Sequence, residues 1–165
     1  MSEQENKQTI EEEIRKNLSG DLQKNALDFA AYINNSSGAL QHLGDDICGM
    51  VIFPPKDSPP SGLYIFFGGP NSSICASDYK NYPINESIKE FAWAHINHCA
   101  HFRSNGKICG CGDQPGYSLM ILGKKFDNLC HCPICFENPD SETFEKIREL
   151  AEAWKRCIEE LKKSD

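Results

Sequence analysis

Apolar residues recur at helical spacing near both ends of the chain, with charged and polar residues between them. Ile10, Ile14 and Leu18 lie four positions apart in an acidic segment that precedes Ser19-Gly20. This pattern predicts an N-terminal acidic helix or arm over residues 1–20. The same periodicity predicts a second helix and a last helix, whose apolar stripes are Leu22, Ala26, Phe29, Ala30 and Ile33, and Phe144, Ile147, Ala151, Trp154, Ile158 and Leu161.

Two helix starts are marked by capping residues. Asn85 precedes Glu86 and a periodic apolar stripe, which predicts a third helix from about Glu86 to Phe102. Asn138-Pro139-Asp140-Ser141 is typical of the start of a helix, with proline near the first helical position. The predicted buried stripe of the third helix is Ile88, Phe91, Ala92, His95, Ile96 and Cys99.

Three short segments rich in β-branched and aromatic residues read as strands. They are "ICGMVIF" (47–53), "GLYIFFG" (62–68) and "YSLMILG" (117–123), and the segment "KKFDN" after the third is predicted to be a turn. The first two are separated by "PPKDSPPS", which cannot continue a ladder and favours an antiparallel hairpin with a wide loop. We therefore expect an α+β fold in a single domain over residues 21–165. A small antiparallel sheet of three to four strands would be packed by two or three helices, with an N-terminal helical arm.

Charge limits the classes of partner. The formal net charge is -7, which argues against nucleic acid or an anionic membrane because both require a basic surface. The polar, acidic N-terminus lacks the features of a signal peptide, and no apolar run reaches the length of a transmembrane helix. We therefore expect a cytoplasmic protein, with an unknown small molecule or another protein as the remaining kinds of partner.

Nine cysteines are many for 165 residues, and an odd number cannot all pair within one chain. A reducing cytoplasm would also keep most of them as thiols. These two points favour metal binding, redox chemistry or simple burial over a disulfide framework.

Six of the cysteines fall within a Cys-rich region at residues 99–135. Cys109-Gly-Cys111 and Cys132-Pro-Ile-Cys135 resemble metal knuckles, in which glycine or proline lets the backbone fold around an ion, and Cys130 is an alternative partner. Four thiolates suit one tetrahedral zinc ion, and the spaced triplet of ferredoxins is absent. The predicted metal ligands come from Cys99, Cys109, Cys111, Cys130, Cys132 and Cys135.

Two alternatives remain open for these cysteines. They could be buried thiols acting as small apolar residues, or Cys132-Pro-Ile-Cys135 could be a redox pair like the C-P-x-C of glutaredoxins. In the glutaredoxin fold the first cysteine lies at a helix N-terminus, which lowers its pKa. Because Pro139 disfavours helix at the residue before it, we expect the last helix to start after the pair.

Histidines near Cys99 offer a further candidate. On the predicted third helix, His95, His98 and Cys99 would share one face, which suits a metal site or a nucleophilic Cys99 beside an imidazole. His101 lies close by. The alternative is that one histidine helps to cap the helix C-terminus, where a positive charge is favoured, and the others are partly exposed.

Four short segments carry a resemblance to a known family. "KEFAWAHINHC", "CGCGDQPG", "LGKKFDNLC" and "FENPD" span residues 89–140 and resemble a family of bacterial proteins, mostly from anaerobic Firmicutes, that has no assigned activity. The resemblance implies that Cys99, Cys109, Cys111 and Cys130 are the matching cysteines, whereas Cys132 and Cys135 match less clearly.

These observations together predict a non-enzymatic, Cys-rich domain that holds one structural zinc ion. The alternatives are a thiol-dependent redox protein, and a small-molecule binding module with Trp93, Tyr64 and Phe66 around its ligand. Whether the protein is an enzyme is left open by the sequence.

Overall fold

The computed structural model describes residues 9–35, 48–52, 63–68, 84–99 and 116–163. These residues form four helices and five strands. The helices are α1 (Ile10–Asn17), α2 (Gly20–Asn35), α3 (Glu86–Ala94) and α4 (Ser141–Lys163), and the strands are β1 (Cys48–Ile52), β2 (Leu63–Phe67), β3 (Ile96–His98), β4 (Tyr117–Ile121) and β5 (Lys124–Glu137).

All strand pairs are antiparallel, and β5 is the central strand. The sheet runs in the order β1-β2-β5-β3, and β4 also pairs with β5. The second half of β5 pairs with β2, where Ile65 faces Phe136. Its first half pairs with β4, where Ile121 faces Lys124. The α+β class and the predicted hairpin of β1 and β2 are therefore confirmed.

The helices cover one face of this sheet, which we call the inner face. Leu63, Ile65 and Phe67 of β2 and Ile134 and Phe136 of β5 are almost fully buried there. Trp154 of α4 packs against Phe67, with ring centroids 5.6 Å apart, and Phe91 of α3 stacks on Phe136 at 5.1 Å. The same core also includes Ile14 of α1, the α1 C-cap residue Leu18, and the predicted stripe residues Ala26, Phe29, Ala30, Phe144, Ile147 and Ala151.

Helix caps explain where α1 and α4 begin. Thr9 and Glu12 form a reciprocal capping box at α1. At α4 the carboxylate of Asp140 accepts a hydrogen bond from the N–H of Thr143 at 2.8 Å, which confirms the predicted start of this helix. Among the described residues, no helix combines the length and apolar character that crossing a membrane requires.

The third helix is shorter than its apolar periodicity predicts. It ends at Ala94 instead of continuing to Phe102, and His95 is its C-cap residue. Ile96 then pairs with Ile134 of β5. The β-branched Ile96 finds an apolar partner in the sheet, so strand pairing overrides the local helical pattern.

The segment Lys124–Asn128 is part of β5 and not the predicted turn. The turn is made by Leu122 and Gly123, whose φ values of 48° and 87° match a tight two-residue hairpin. The lysine, aspartate and asparagine residues of this segment are typical of a turn. In the structure, however, Phe126 packs against the core while Lys125 and Asp127 are exposed. A strand with one solvated face accommodates that alternation.

Candidate metal centre

The structure describes part of the predicted cysteine cluster. Cys99 is 1% exposed, and Cys130 and Cys135 are half-buried. For Cys132 only the backbone is described, as part of β5. Cys109 and Cys111 lie outside the described residues.

Cys99 directly follows β3, and Cys130 is part of the neighbouring strand β5. His98 of β3 pairs with Leu129 of β5, and each cysteine is the next residue along the chain. The N–H of Cys99 donates to the carbonyl oxygen of Asn128 at 2.6 Å. The two cysteines are therefore diagonal cross-strand neighbours, with Cα atoms about 7–8 Å apart. On β5, Cys130 follows the fully buried Leu129 and therefore lies on the opposite face of the strand.

The segment that carries Cys109 and Cys111 is anchored at the same place. It follows Cys99 and ends before Gly116, and Tyr117 pairs with Leu129 from the other side of β5. The two ends of this segment therefore lie about two strand spacings apart, roughly 10 Å. A Cβ atom on Gly116 would come within 2.7 Å of the Cα of Asn128, so only glycine fits at this return point.

Cys135 lies elsewhere on the sheet. Its N–H donates to the carbonyl oxygen of His95 at 3.2 Å, which places it level with His95. The four residues from His95 to Cys99 span roughly 12 Å. Two thiolates on one zinc ion each lie about 2.3 Å from it, so Cys135 is too distant to share an ion with Cys99.

The Cys132-Pro-Ile-Cys135 segment lies in β5, and α4 begins only at Ser141. This confirms that the helix starts after the pair, so neither thiol gains the thiolate stabilisation of a helix N-terminus. In an extended strand three residues span about 10 Å, beyond the Cα separation of a disulfide. Ile96 and His98 of β3 are separated by one residue, but their partners Ile134 and Leu129 on β5 are separated by four. Pro133 lies among these four residues, and proline is tolerated at such an irregularity.

The histidines do not form the expected helical cluster. His95 ends α3, and its ring packs between Phe91 and Phe136, with centroids at 4.7 and 4.8 Å. Its Nδ1–H donates to the carbonyl oxygen of Phe91 at 2.8 Å, as in a helix C-terminal cap. His98 lies on β3, exposed, and Nδ1–H donates to the carbonyl oxygen of Asp127. Because α3 ends before His98, no helical face unites these residues with Cys99.

Trp93, the described member of the suggested small-molecule pocket, has protein partners. Its Nε1–H donates to the carbonyl oxygen of Ile121 at 2.8 Å. The ammonium group of Lys124 lies 5.3 Å from the centre of its ring. These contacts tie α3 to the β4–β5 hairpin, which is a packing role. The side chains of Tyr64 and Phe66 lie outside the described residues.

Asn128 is a residue of this region that sequence reasoning missed. Its φ is 56°, in the left-handed region, and it sits at a β-bulge, because Tyr117 pairs with Leu129 while Leu119 pairs with Phe126. The only sequence signal was the residue type, since asparagine tolerates this conformation better than other non-glycine residues.

Within the part of the chain that the structure describes, no three His, Cys, Asp or Glu side chains group around a common point. Of the predicted ligands, Cys99 and Cys130 are brought near each other by the pairing at Leu129. No protein-family model, curated protein or solved structure matches this chain.

Proposed function

We propose that this protein is a non-enzymatic, cytoplasmic, Cys-rich domain that holds one structural zinc ion through Cys99, Cys109, Cys111 and Cys130. The observation that carries the proposal is the pairing of β3 with β5 at Leu129, which brings Cys99, the residue after β3, diagonally across from Cys130 of β5. The resemblance to the bacterial family favours the same four positions. The separation of roughly 12 Å between Cys99 and His95, with which Cys135 is level, argues for leaving Cys135 out of the ligand set.

The anchoring of residues 100–115 supports the other two ligands. This segment leaves from Cys99 and returns at Gly116, on the two sides of Leu129. Cys109 and Cys111 therefore belong to a connection that both starts and ends beside the Cys99–Cys130 pair. One ion held by all four thiolates would join β3, β5 and this connection.

The donor set defines the chemistry of such a site. Four thiolates complete a tetrahedral shell and leave no position for water or substrate, which is the arrangement of structural zinc. A reducing compartment keeps thiols available for this role. The ion would contribute to folding directly, since ligands spread along the unfolded chain form no preformed site.

Elemental analysis of protein purified without added metal tests the proposal. We expect about one equivalent of zinc and about four thiols protected from alkylation until a chelator is added. Chelation should also lower the melting temperature. Less than about a tenth of an equivalent of any metal per chain would overturn the proposal.

Two variants make the test specific. Cys99 and Cys157 are both 1% exposed, so Cys99→Ala and Cys157→Ala remove equally buried thiols. Cys99→Ala should weaken zinc binding strongly, whereas Cys157→Ala, on α4, should keep the full equivalent. Cys135→Ala should also keep it. Equal zinc content in the Cys99→Ala variant and the wild type would contradict the assigned ligand set.

A further inference from the structure

We propose that Asn128 is the positioning residue of this metal centre: its left-handed backbone holds Cys99, Cys130 and the return at Gly116 in their relative places. This inference rests on the proposed zinc site. It assigns a role to a residue that supplies no ligand atom to the ion.

The first argument is the bulge itself. Phe126 and Leu129 both pack toward the core although they are three residues apart. Regular alternation would put them on opposite faces. The extra residue at Asp127-Asn128 shifts the alternation by one position, so that both side chains face the core. The φ of 56° at Asn128 provides the backbone bend that this bulge requires. Cys130, the residue after Leu129, is thereby set on the face of β5 opposite the core.

The second argument is the set of contacts that meet at Asn128. Its carbonyl oxygen accepts the N–H of Cys99 at 2.6 Å. Its Cα lies so close to Gly116 that a Cβ there would come within 2.7 Å. Cys130 follows two residues later. Asn128 therefore contacts Cys99 through its carbonyl oxygen and Gly116 through its Cα. It lies two residues before Cys130, and Gly116 follows the segment that carries Cys109 and Cys111.

Residue preference at a left-handed position gives a direct test. Glycine adopts this conformation without strain, whereas alanine is disfavoured there. Asn128→Gly should therefore preserve the bulge and Asn128→Ala should loosen it. If the bulge is loosened, the cysteines adopt their metal-binding arrangement only part of the time. The apparent affinity for the ion is then reduced by that fraction.

A matched control exists at the other end of β5. Asn138 also has a positive φ, 45°, and its N–H and side chain both bond to the backbone of Leu63. Asn138→Ala should destabilise the fold in a similar way, yet its position is ten residues from Asn128 along the chain. It separates loss of stability from loss of metal positioning.

The experiment is titration of the metal-free protein with Co²⁺, followed by the thiolate-to-cobalt absorption band. Asn128→Ala should lower Co²⁺ affinity by about tenfold, and its absorption spectrum should change as the sulfur ligands shift. Asn128→Gly should stay within about threefold of the wild type. Asn138→Ala should also stay within about threefold while its urea midpoint falls.

The outcomes separate the two proposals. If the wild type shows no thiolate-to-cobalt band, the zinc site itself is wrong. If the wild type binds Co²⁺ and Asn128→Ala binds it equally well, the zinc site stands and the positioning role of Asn128 is wrong. Equal weakening by Asn128→Ala and Asn138→Ala would also overturn the positioning role, because affinity would then follow general stability.

Discussion

At the scale of single residues, the informative feature is the backbone conformation at the turns of the sheet. Among the described residues, Leu122, Asn128 and Asn138 have a positive φ without being glycine. Asparagine is enriched in this conformation, but leucine is not. Leu122 is also 1% exposed. Its apolar side chain therefore stabilises the core at a position where its backbone is strained.

Substitution of Leu122 should separate these two effects. Leu122→Ala removes buried methyl groups and keeps the strain, so we expect a loss of about 2–5 kcal/mol in the free energy of unfolding. Leu122→Gly removes the same groups but relieves the strain. The glycine variant should be more stable than the alanine variant by about 1 kcal/mol in urea denaturation.

Leu150 provides the control, because it is fully buried within α4. There the order should reverse, with Leu150→Gly less stable than Leu150→Ala by about 1 kcal/mol. The same order at both positions would show that the conformation of Leu122 contributes nothing measurable.

At the scale of elements, the segment "LCHCPICFENPD" shows what the sequence could reveal. It is a buried strand followed by a helix start, and both parts follow local rules. Ile134 and Phe136 face the core with Cys135 between them on the other face. Asn138-Pro139-Asp140 then ends the strand and caps α4. The helix start was predicted because capping chemistry is local, whereas the strand β5 over this segment was not among the predicted strands.

Features that depend on distant partners could not be predicted in the same way. The end of α3 is set by Ile96 pairing with Ile134 and by His95 packing against Phe136. The bulge at Asn128 follows from the register with β4. Residues 96 and 134 are far apart in the chain, so helical periodicity around His95 carried no sign of either contact. The proximity of Cys99 to Cys130 depends on the pairing of β3 with β5.

The cap of α4 predicts a specific acid dependence. Hydrogen bonds from Thr143 hold the pKa of Asp140 below its ordinary value of 3.8. A lowered pKa means that the stabilisation is fully present above the pKa of the unfolded chain. It is lost as the pH falls below about 4, through the folded pKa. Asparagine caps a helix as well as aspartate but does not titrate. Asp140→Asn should therefore match the wild type near pH 7 and lose less stability between about pH 5 and pH 2.

Urea midpoints measured across this pH range check the prediction. Asp28→Asn, a substitution of the same type at an exposed position of α2, controls for the loss of one negative charge. If the urea midpoint of Asp140→Asn falls with acid as much as that of the wild type, the Asp140 cap does not contribute to acid sensitivity.

At the scale of the whole molecule, β5 connects the hydrophobic core to the proposed metal site. Its Leu129, Ile134 and Phe136 are buried in the core together with the four described helices. Cys130 follows Leu129 and lies on the opposite face of β5, and the N–H of Cys99 bonds to the carbonyl oxygen of Asn128. A metal ion held by both cysteines would fix the pairing of strands that the core already supports.

The core also predicts how α1 relates to the rest of the chain. Ile14 of α1 is fully buried in the same cluster as Ile147 and Trp154 of α4. Ile14→Ala should therefore destabilise the whole protein by about 2–5 kcal/mol, as Ile147→Ala should. The chain has two tryptophans, Trp93 and Trp154, and both lie outside α1, so their fluorescence reports on the remainder of the fold.

Urea unfolding followed by both tryptophan fluorescence and far-ultraviolet circular dichroism distinguishes an integrated helix from an attached arm. If α1 is integrated, Ile14→Ala shifts both transitions by the same amount, because unfolding is cooperative. If residues 1–20 are a separate arm, the fluorescence transition stays at its wild-type midpoint and only a small part of the dichroism signal is lost earlier. Ile10 is only partly buried against the core. Ile10→Ala should shift both transitions in the same direction but by less, since it removes less buried surface.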